Sequence, residues 1–284
     1  MASLIEPEPR LAPRRVNARL DFIRADGRTR LGRQYTPHPF HITRPFHIAG
    51  DPGGMATLYL QSSAGGLYGD DDLRLDVRAG PGSSAHLTTQ ASTVVHPARG
   101  GVTGQRVCLS IESDAYLEYC PDPAILFAES RLDAELDVEL GAGAVAVVTD
   151  AFLPHDPEGK STPFDHLEAL IRVRRSDGEE ILLERSDVAG SDWLERTCGL
   201  PCYSNFLVAG AIDTEAVAQA LRDTLDALDS PDIYAGVSVP GDRGVVVFRA
   251  LAREGKLLTR ALETVWRAAR IALTQQSVPA PRRK

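Results

Sequence analysis

The stretch Leu73-Arg74-Leu75-Asp76-Val77-Arg78-Ala79-Gly80-Pro81-Gly82 decides the fold. Apolar and charged side chains alternate through residues 73–78, the period of a strand with one buried and one wet face. Gly80-Pro81-Gly82 stops that strand, and Ala85, Leu87 and the Thr88-Thr89 pair begin another, so the unit reads as a hairpin. The pattern returns 61 positions on: Asp137-Val138-Glu139-Leu140-Gly141-Ala142-Gly143 repeats Asp76 to Gly82, Ala146 repeats Ala85, and Thr149 repeats Thr88. A shorter unit lies between them, with apolar positions at 107–111, a Ser113-Asp114 turn and a second run at 116–119. Repeats of one length predict stacked layers that share a continuous core.

Working outward, strands are predicted at 167–174 and 181–184 around a Ser176-Asp177-Gly178 turn, and at 245–248, where β-branched Val-Val-Val suits a central strand. Two helices are predicted near the end. Thr214 is a plausible N-cap for a helix with Val217, Leu221, Leu225 and Leu228 on one stripe, and Leu258, Leu262, Val265, Ala269 and Leu273 form a second stripe. The expected fold is mainly β, stacked β-sheet layers built from repeated hairpins (β-helix-like), with two α-helices in the C-terminal third. The expected organisation is a Pro-rich tail at 1–16, one domain at 17–276 and a basic Pro-rich tail at 277–284.

The 284 residues carry 31 Lys and Arg against 39 Asp and Glu, a net charge of −8, which argues against a nucleic-acid coat. No apolar run reaches the ~18 residues of a membrane span, and residues 1–15 hold no apolar signal core, so a cytoplasmic protein is expected. Cys108, Cys120, Cys198 and Cys202 then read as free thiols, with a metal or redox role for the last pair as the alternative.

Catalytic motifs are missing: there is no Gly-x-Ser-x-Gly elbow, phosphate loop or His-Glu-x-x-His. Gly141-Ala-Gly143 imitates part of a dinucleotide fingerprint, but valines continue as a strand where that motif needs a helix. His38, His41 and His47 are too extended to converge readily on a metal. His155-Asp156 follows Pro154 in a predicted loop, either solvated or metal-facing. Asp70-Asp71-Asp72 is the sharpest charge cluster, either a solvated turn or a bend facing a partner or a cation.

Several stretches then resemble one family in order and spacing. Gly65-Gly66-Leu67-Tyr68-Gly69-Asp70-Asp71-Asp72-Leu73 is similar to the Gly-Gly-x-x-Gly-Gly-Asp-x-Leu segment of the urease accessory protein D family (UreD, also called UreH). Leu87-Thr88-Thr89-Gln90-Ala91-Ser92-Thr93-Val94-Val95-His96 and Leu117-Glu118-Tyr119-Cys120-Pro121-Asp122-Pro123-Ala124-Ile125-Leu126-Phe127 resemble two further family elements. Arg44-Pro45-Phe46, Arg249-Ala250-Leu251 and the helix around Trp266 and Arg270 complete the series. Asp70, Val94 and His96 depart from the pattern.

The resemblance implies a maturation factor for urease that is not an enzyme. It implies binding to the urease apoprotein, to the adaptor accessory protein UreF and, through it, to the GTPase accessory protein UreG. It implies no tightly bound cofactor, only transient nickel on its way to the urease active site. Asp71 and Glu118 match family acidic positions and are candidates for the nickel route, with Asp150 and His155 beside them. Asp71 fixing the start of a strand and Glu118 pairing with an internal Arg are the structural alternatives. Arg260, Arg267 and Arg270, read as exposed on the last helix, are candidate contacts for the adaptor. A β-rich metal-dependent hydrolase is the alternative function, and a carbohydrate-binding module is disfavoured by an aromatic content of only 6%.

Overall fold

The computed structural model describes residues 12–276 and 278. In chain order its strands are β1 (Arg15–Ala25), β2 (Arg28–Tyr35), β3 (Phe40–Ile42), β4 (Ala56–Ser62), β5 (Asp72–Ala79) and β6 (Ser84–Thr89). There follow β7 (Val94–Val95), β8 (Thr103–Ile111), β9 (Tyr116–Cys120), β10 (Ala124–Phe127), β11 (Arg131–Leu140) and β12 (Val145–His155). Then come β13 (His166–Arg175), β14 (Glu180–Ala189), β15 (Cys202–Gly210), β16 (Ile233–Ser238) and β17 (Val245–Ala252). The helices are α1 (Gly190–Arg196), α2 (Thr214–Arg222) and α3 (Gly255–Thr274).

Two sheets face one another. The first runs β14-β13-β11-β8-β5-β1-β2, and the second runs β16-β17-β15-β12-β9-β6-β4-β3. The stacked β-layers expected from the repeat are therefore present, but their units are not hairpins. β5 pairs with β1 and β8 in the first sheet, and β6 with β4 and β9 in the second, all in parallel. Each Gly-rich turn is an arch that carries the chain from one sheet to the other. Alternation and a turn look the same in both arrangements, because Leu75 and Val77 bury against Ala85 and Leu87 whichever way the backbone bonds.

Stacking is in register. Asp76 pairs with Cys108 and Cys108 with Asp137, so the 61-residue repeat spans two coils and the shorter middle unit is the coil between them. The arches stack too: Gly80 N donates to Phe22 O, and Gly141 N to Ile111 O. A third, narrow face made by β7, β10 and the end of β12 aligns Val95, Leu126 and Pro154. Beside it runs a ladder of rings from equivalent positions. Tyr68 stacks on His96 at 4.3 Å, His96 meets Phe127 at 5.5 Å, and Phe127 meets His155 at 5.7 Å.

Antiparallel strands close both ends: β2 and β3 at one, the β13–β14 hairpin and β15, β17 and β16 at the other. The β13–β14 turn at Ser176-Asp177-Gly178 is a true hairpin, as expected. One core cluster fills the space between the sheets, and a second lies between the outer face of the second sheet and α2 and α3.

Three details differ from expectation. Asp213, not Thr214, caps α2 by accepting from Ala216 N, and that helix stops at Arg222, with Leu225 and Leu228 kept against the core by a short 3₁₀ turn. Helix α1 was not anticipated; at seven residues it shows too little periodicity to read. Arg15 and Val16, placed in the N-terminal tail, open β1. Residues 1–11 and most of 277–284 lie outside the described residues.

Gly66 explains the paired glycines before β5. Its φ is +140°, and a Cβ there would sit 2.4 Å from Val94 O, a backbone atom that cannot give way. Gly82, at φ +60°, has open space around the same position. Gly82→Ala should therefore lower stability by only about 1 kcal/mol, and Gly66→Ala by clearly more, as read from urea midpoints at constant slope.

Candidate functional site

Glu118 sits on β9 with its side chain on the outer face of the second sheet, beneath α3. Its carboxylate is saturated. Oε1 accepts from Tyr116 Oη at 2.6 Å and Arg270 Nε at 2.7 Å. Oε2 meets His86 Nδ1 at 2.5 Å, Trp266 Nε1 at 2.9 Å and Arg270 Nη2. Arg270 also donates to Asp51 at 2.8 Å, and its guanidinium lies 4.4 Å from the Trp266 ring centre. Burial alone would push the Glu118 pKa up, but the Arg270 charge and the His86 hydrogen bond outweigh it and hold the group ionised. A carboxylate offers about four lone-pair positions, and all are taken, so Glu118 acts as the lock that seats α3.

Arg270 is 1% exposed, which overturns its reading as a surface residue for the adaptor. It neighbours Ala269 at the edge of the apolar stripe, where a long side chain can turn under the helix. Arg260 is exposed, and Arg267 is half-buried, paired with Glu263 at 3.0 Å.

Asp71 has a similar fate. It is 2% exposed; Oδ1 accepts from Arg14 N and Nε, both at 3.0 Å, and Oδ2 accepts from Tyr68 N at 2.7 Å and from Arg14 Nη2. Burial opposes ionisation, yet these bonds keep the pKa below the ordinary carboxylate value. Asp71 ties the residue before β1 to the Gly-rich bend. Of its neighbours, Asp72 pairs with Arg106, and Asp70 stands in the left-handed region at φ 67°.

Asp150 differs. Alternation along β12 turns Ala146, Val148 and Asp150 into the space between the sheets. Here β12 changes partner: Val145–Val148 pair with β9, and Phe152–His155 with β10. No ladder pair joins residues 149–151 to the Cys120-Pro121-Asp122-Pro123 segment among the described residues. A cavity of about 60 Å³ opens there, lined by Thr89, Thr93, Gln105 and Asp150. Thr89, Thr93 and Gln105 are shared with a cavity of about 260 Å³ that reaches Gln61 and Gln90. Pro121, Asp122 and Thr149 are shared with a third, of about 350 Å³, under α3 beside His86 and Cys120. Shared lining residues set the three cavities side by side about the break at Pro121–Pro123, in walls more apolar than polar, with Thr89, Gln105, Asp122 and Asp150 among the polar groups.

Burial, with a smaller push from the Glu184 charge, raises the Asp150 pKa to about 7. Across the ladder from it stands Asn205, 4% exposed, whose Oδ1 has no hydrogen-bond partner while its amide nitrogen donates to Glu184 at 2.7 Å. Glu184 also holds Arg249 and Tyr203. The sequence repeat reaches Thr149, and Asp150 is a candidate beside the acids that match the family; neither signal carries a sign of Glu184 or Asn205, which join it only through register.

His155 lies exposed at the end of the ring ladder, away from the other candidates. His41 bonds to Gln61 at 2.6 Å and His47 to Thr29 O at 3.0 Å, so the early histidines do not converge. Among the described residues no three His, Cys, Asp or Glu side chains gather into a metal-holding cluster. No described helix is long and apolar enough to cross a membrane.

These features define a capped stack of β-coils with adjoining cavities at the break in its second sheet. The family model described as UreD urease accessory protein matches residues 15–284, so the chain belongs to the UreD family. It is 41% identical over 267 residues to urease accessory protein UreD 1 of Methylorubrum populi, covering 92% of this chain and 90% of that protein. Against the UreD 1 protein of Pseudomonas syringae pv. syringae the identity is 36% over 274 residues, covering 94% and 95%.

Two outcomes are expected. Glu118→Gln and Arg270→Met should each cost about 3–5 kcal/mol by stranding the other charge, and the double variant less than their sum; urea unfolding followed by Trp fluorescence measures it. Asp150 titrates near 7 folded against 3.8 unfolded, so the folded state holds the extra proton and stability falls as pH rises through that window. Asp150→Asn should therefore be more stable than the parent at pH 8, with the gap closing by pH 4.

Proposed function

We propose that this protein is a cytoplasmic urease maturation scaffold that passes nickel through its interior and makes or breaks no covalent bond itself. Membership of the UreD family supports the maturation role. The observation that carries the route is Asp150: a carboxylate facing a cavity at the break in the second sheet, with an unpartnered amide oxygen across the ladder and no countercharge bonded to it by any described contact. Glu118 and Asp71 have no lone pairs to offer, so the route assigned to four residues narrows to Asp150 inside and His155 at the surface.

The chemistry suits cargo rather than a resident metal. Nickel held by one carboxylate, an amide oxygen and threonine hydroxyls binds weakly and leaves readily, whereas thiolate or imidazole cages retain it. Metal binding also displaces the proton that burial keeps on Asp150 near neutral pH. The urease apoprotein would receive the ion. The adaptor UreF would meet the exposed side of α3 through Arg260 and Arg267, and UreG would reach this chain through the adaptor.

The test is nickel per active site in urease produced together with this protein. Asp150→Asn and Thr93→Leu should each lower nickel loading severalfold while the purified variants melt no lower than the parent. Asp71→Asn, if it folds, should load urease normally. Full loading with Asp150→Asn would end the proposed route.

A further inference from the structure

The second sheet reaches one strand further than the first. Arg249 of β17 bonds Glu184 of β14, so β17 lies across from the edge strand of the first sheet. β16 is the next strand out, and among the described residues the first sheet has no strand beyond β14 to stand opposite it. Ile233, Ala235 and Val237 pack on the side of α2, and the alternation turns Tyr234, Gly236 and Ser238 the other way, into a cleft of about 450 Å³. Ser186 and Val188 of β14 form one wall, and Trp193 and Arg196 of α1 close one end. Tyr234 is 73% exposed.

Three properties say what fits. First, the cleft is flanked by β14, whose outer edge pairs with no strand among the described residues. Second, β16 carries no charge at all, unlike the edge strand β2 with its Arg28, Arg30 and Arg33. Third, the charged side chains that line the cleft are Arg196 and Arg249, and no carboxylate lines it, in a chain of net charge −8. Arg249 is neutralised by Glu184, but the Arg196–Asp192 contact is long at 3.9 Å, leaving Arg196 available.

We infer that the cleft beneath β16 is a docking site for an extended segment of a protein partner, carrying alternate large apolar side chains and a neighbouring carboxylate, which takes the place of the strand the first sheet lacks. Backbone pairing to the edge of β14 supplies affinity, the aromatic cleft takes the apolar side chain, and Arg196 selects for the acid. This inference stands apart from the nickel route, since it is read by peptide binding to the purified chain.

The test uses fluorescein-labelled Thr-Asp-Phe-Thr-Leu-Thr-Val on the full chain, beside a scrambled peptide and one with Lys in place of Asp. A Cβ at Gly236 would meet nothing within 4 Å and its φ is ordinary, so Gly236→Trp fills the cleft without straining the strand. The first peptide should bind at least about tenfold more tightly than either control. Gly236→Trp should weaken it by about tenfold or more at unchanged circular dichroism. Arg196→Glu should abolish the preference for Asp over Lys. Equal binding of the three peptides, no saturable binding, or binding indifferent to Gly236→Trp would overturn the inference. So would a second copy of this chain in the cleft, seen as a parent dimer that Gly236→Trp dissociates.

Discussion

Backbone bonding between equivalent positions of successive coils is the constraint on which everything else rests. Parallel ladders in both sheets oblige each coil to set its strand on the one before, side chain over like side chain. Apolar positions then merge into one core between the sheets, and the rings of Tyr68, His96, Phe127 and His155 fall into line. A stack of this kind must end somewhere. Here antiparallel strands close it at both ends, with arginines along β2 guarding one of them.

The same constraint opens the interior. A coil with a third face must break the second sheet where the chain leaves β9 and begins β10, and β12 spans the break. Residues 149–151 therefore have a partner strand on one side only, β15, and the polar side chains around them face a cavity instead of a packed neighbour. Elsewhere, buried charge is matched. Glu118 with Arg270 and Asp71 with Arg14 each fasten one element to another, as the more exposed Glu184–Arg249 pair does at the end of the stack. Asp150 is a half-buried carboxylate whose pKa moves the opposite way, and the contrast marks it.

Much of the architecture was legible because strand alternation and the 61-residue repeat are local signals. What the sequence could not show was which backbone groups pair: an arch and a hairpin bury the same residues, so the coils were mistaken for hairpins. Candidate residues fared according to range. Glu118 and Asp71 were found by motif, yet their partners lie 152 and 57 positions away, and without Arg270 and Arg14 their saturation is invisible. Arg270 was misread because helical periodicity says which side a residue starts from and not where a long side chain ends. The cleft under β16 arises from a mismatch in strand number between the sheets, a property of no single segment.

The central claim is that the interior, and not Glu118 or Asp71, receives the metal. Anomalous diffraction at the nickel edge from crystals of this protein soaked in nickel tests it most directly. The account predicts a weak peak between the sheets within bonding distance of Asp150, growing with soak concentration and fading at acid pH. Ordered nickel on Glu118 or Asp71, or nickel confined to the outer surface, would contradict it.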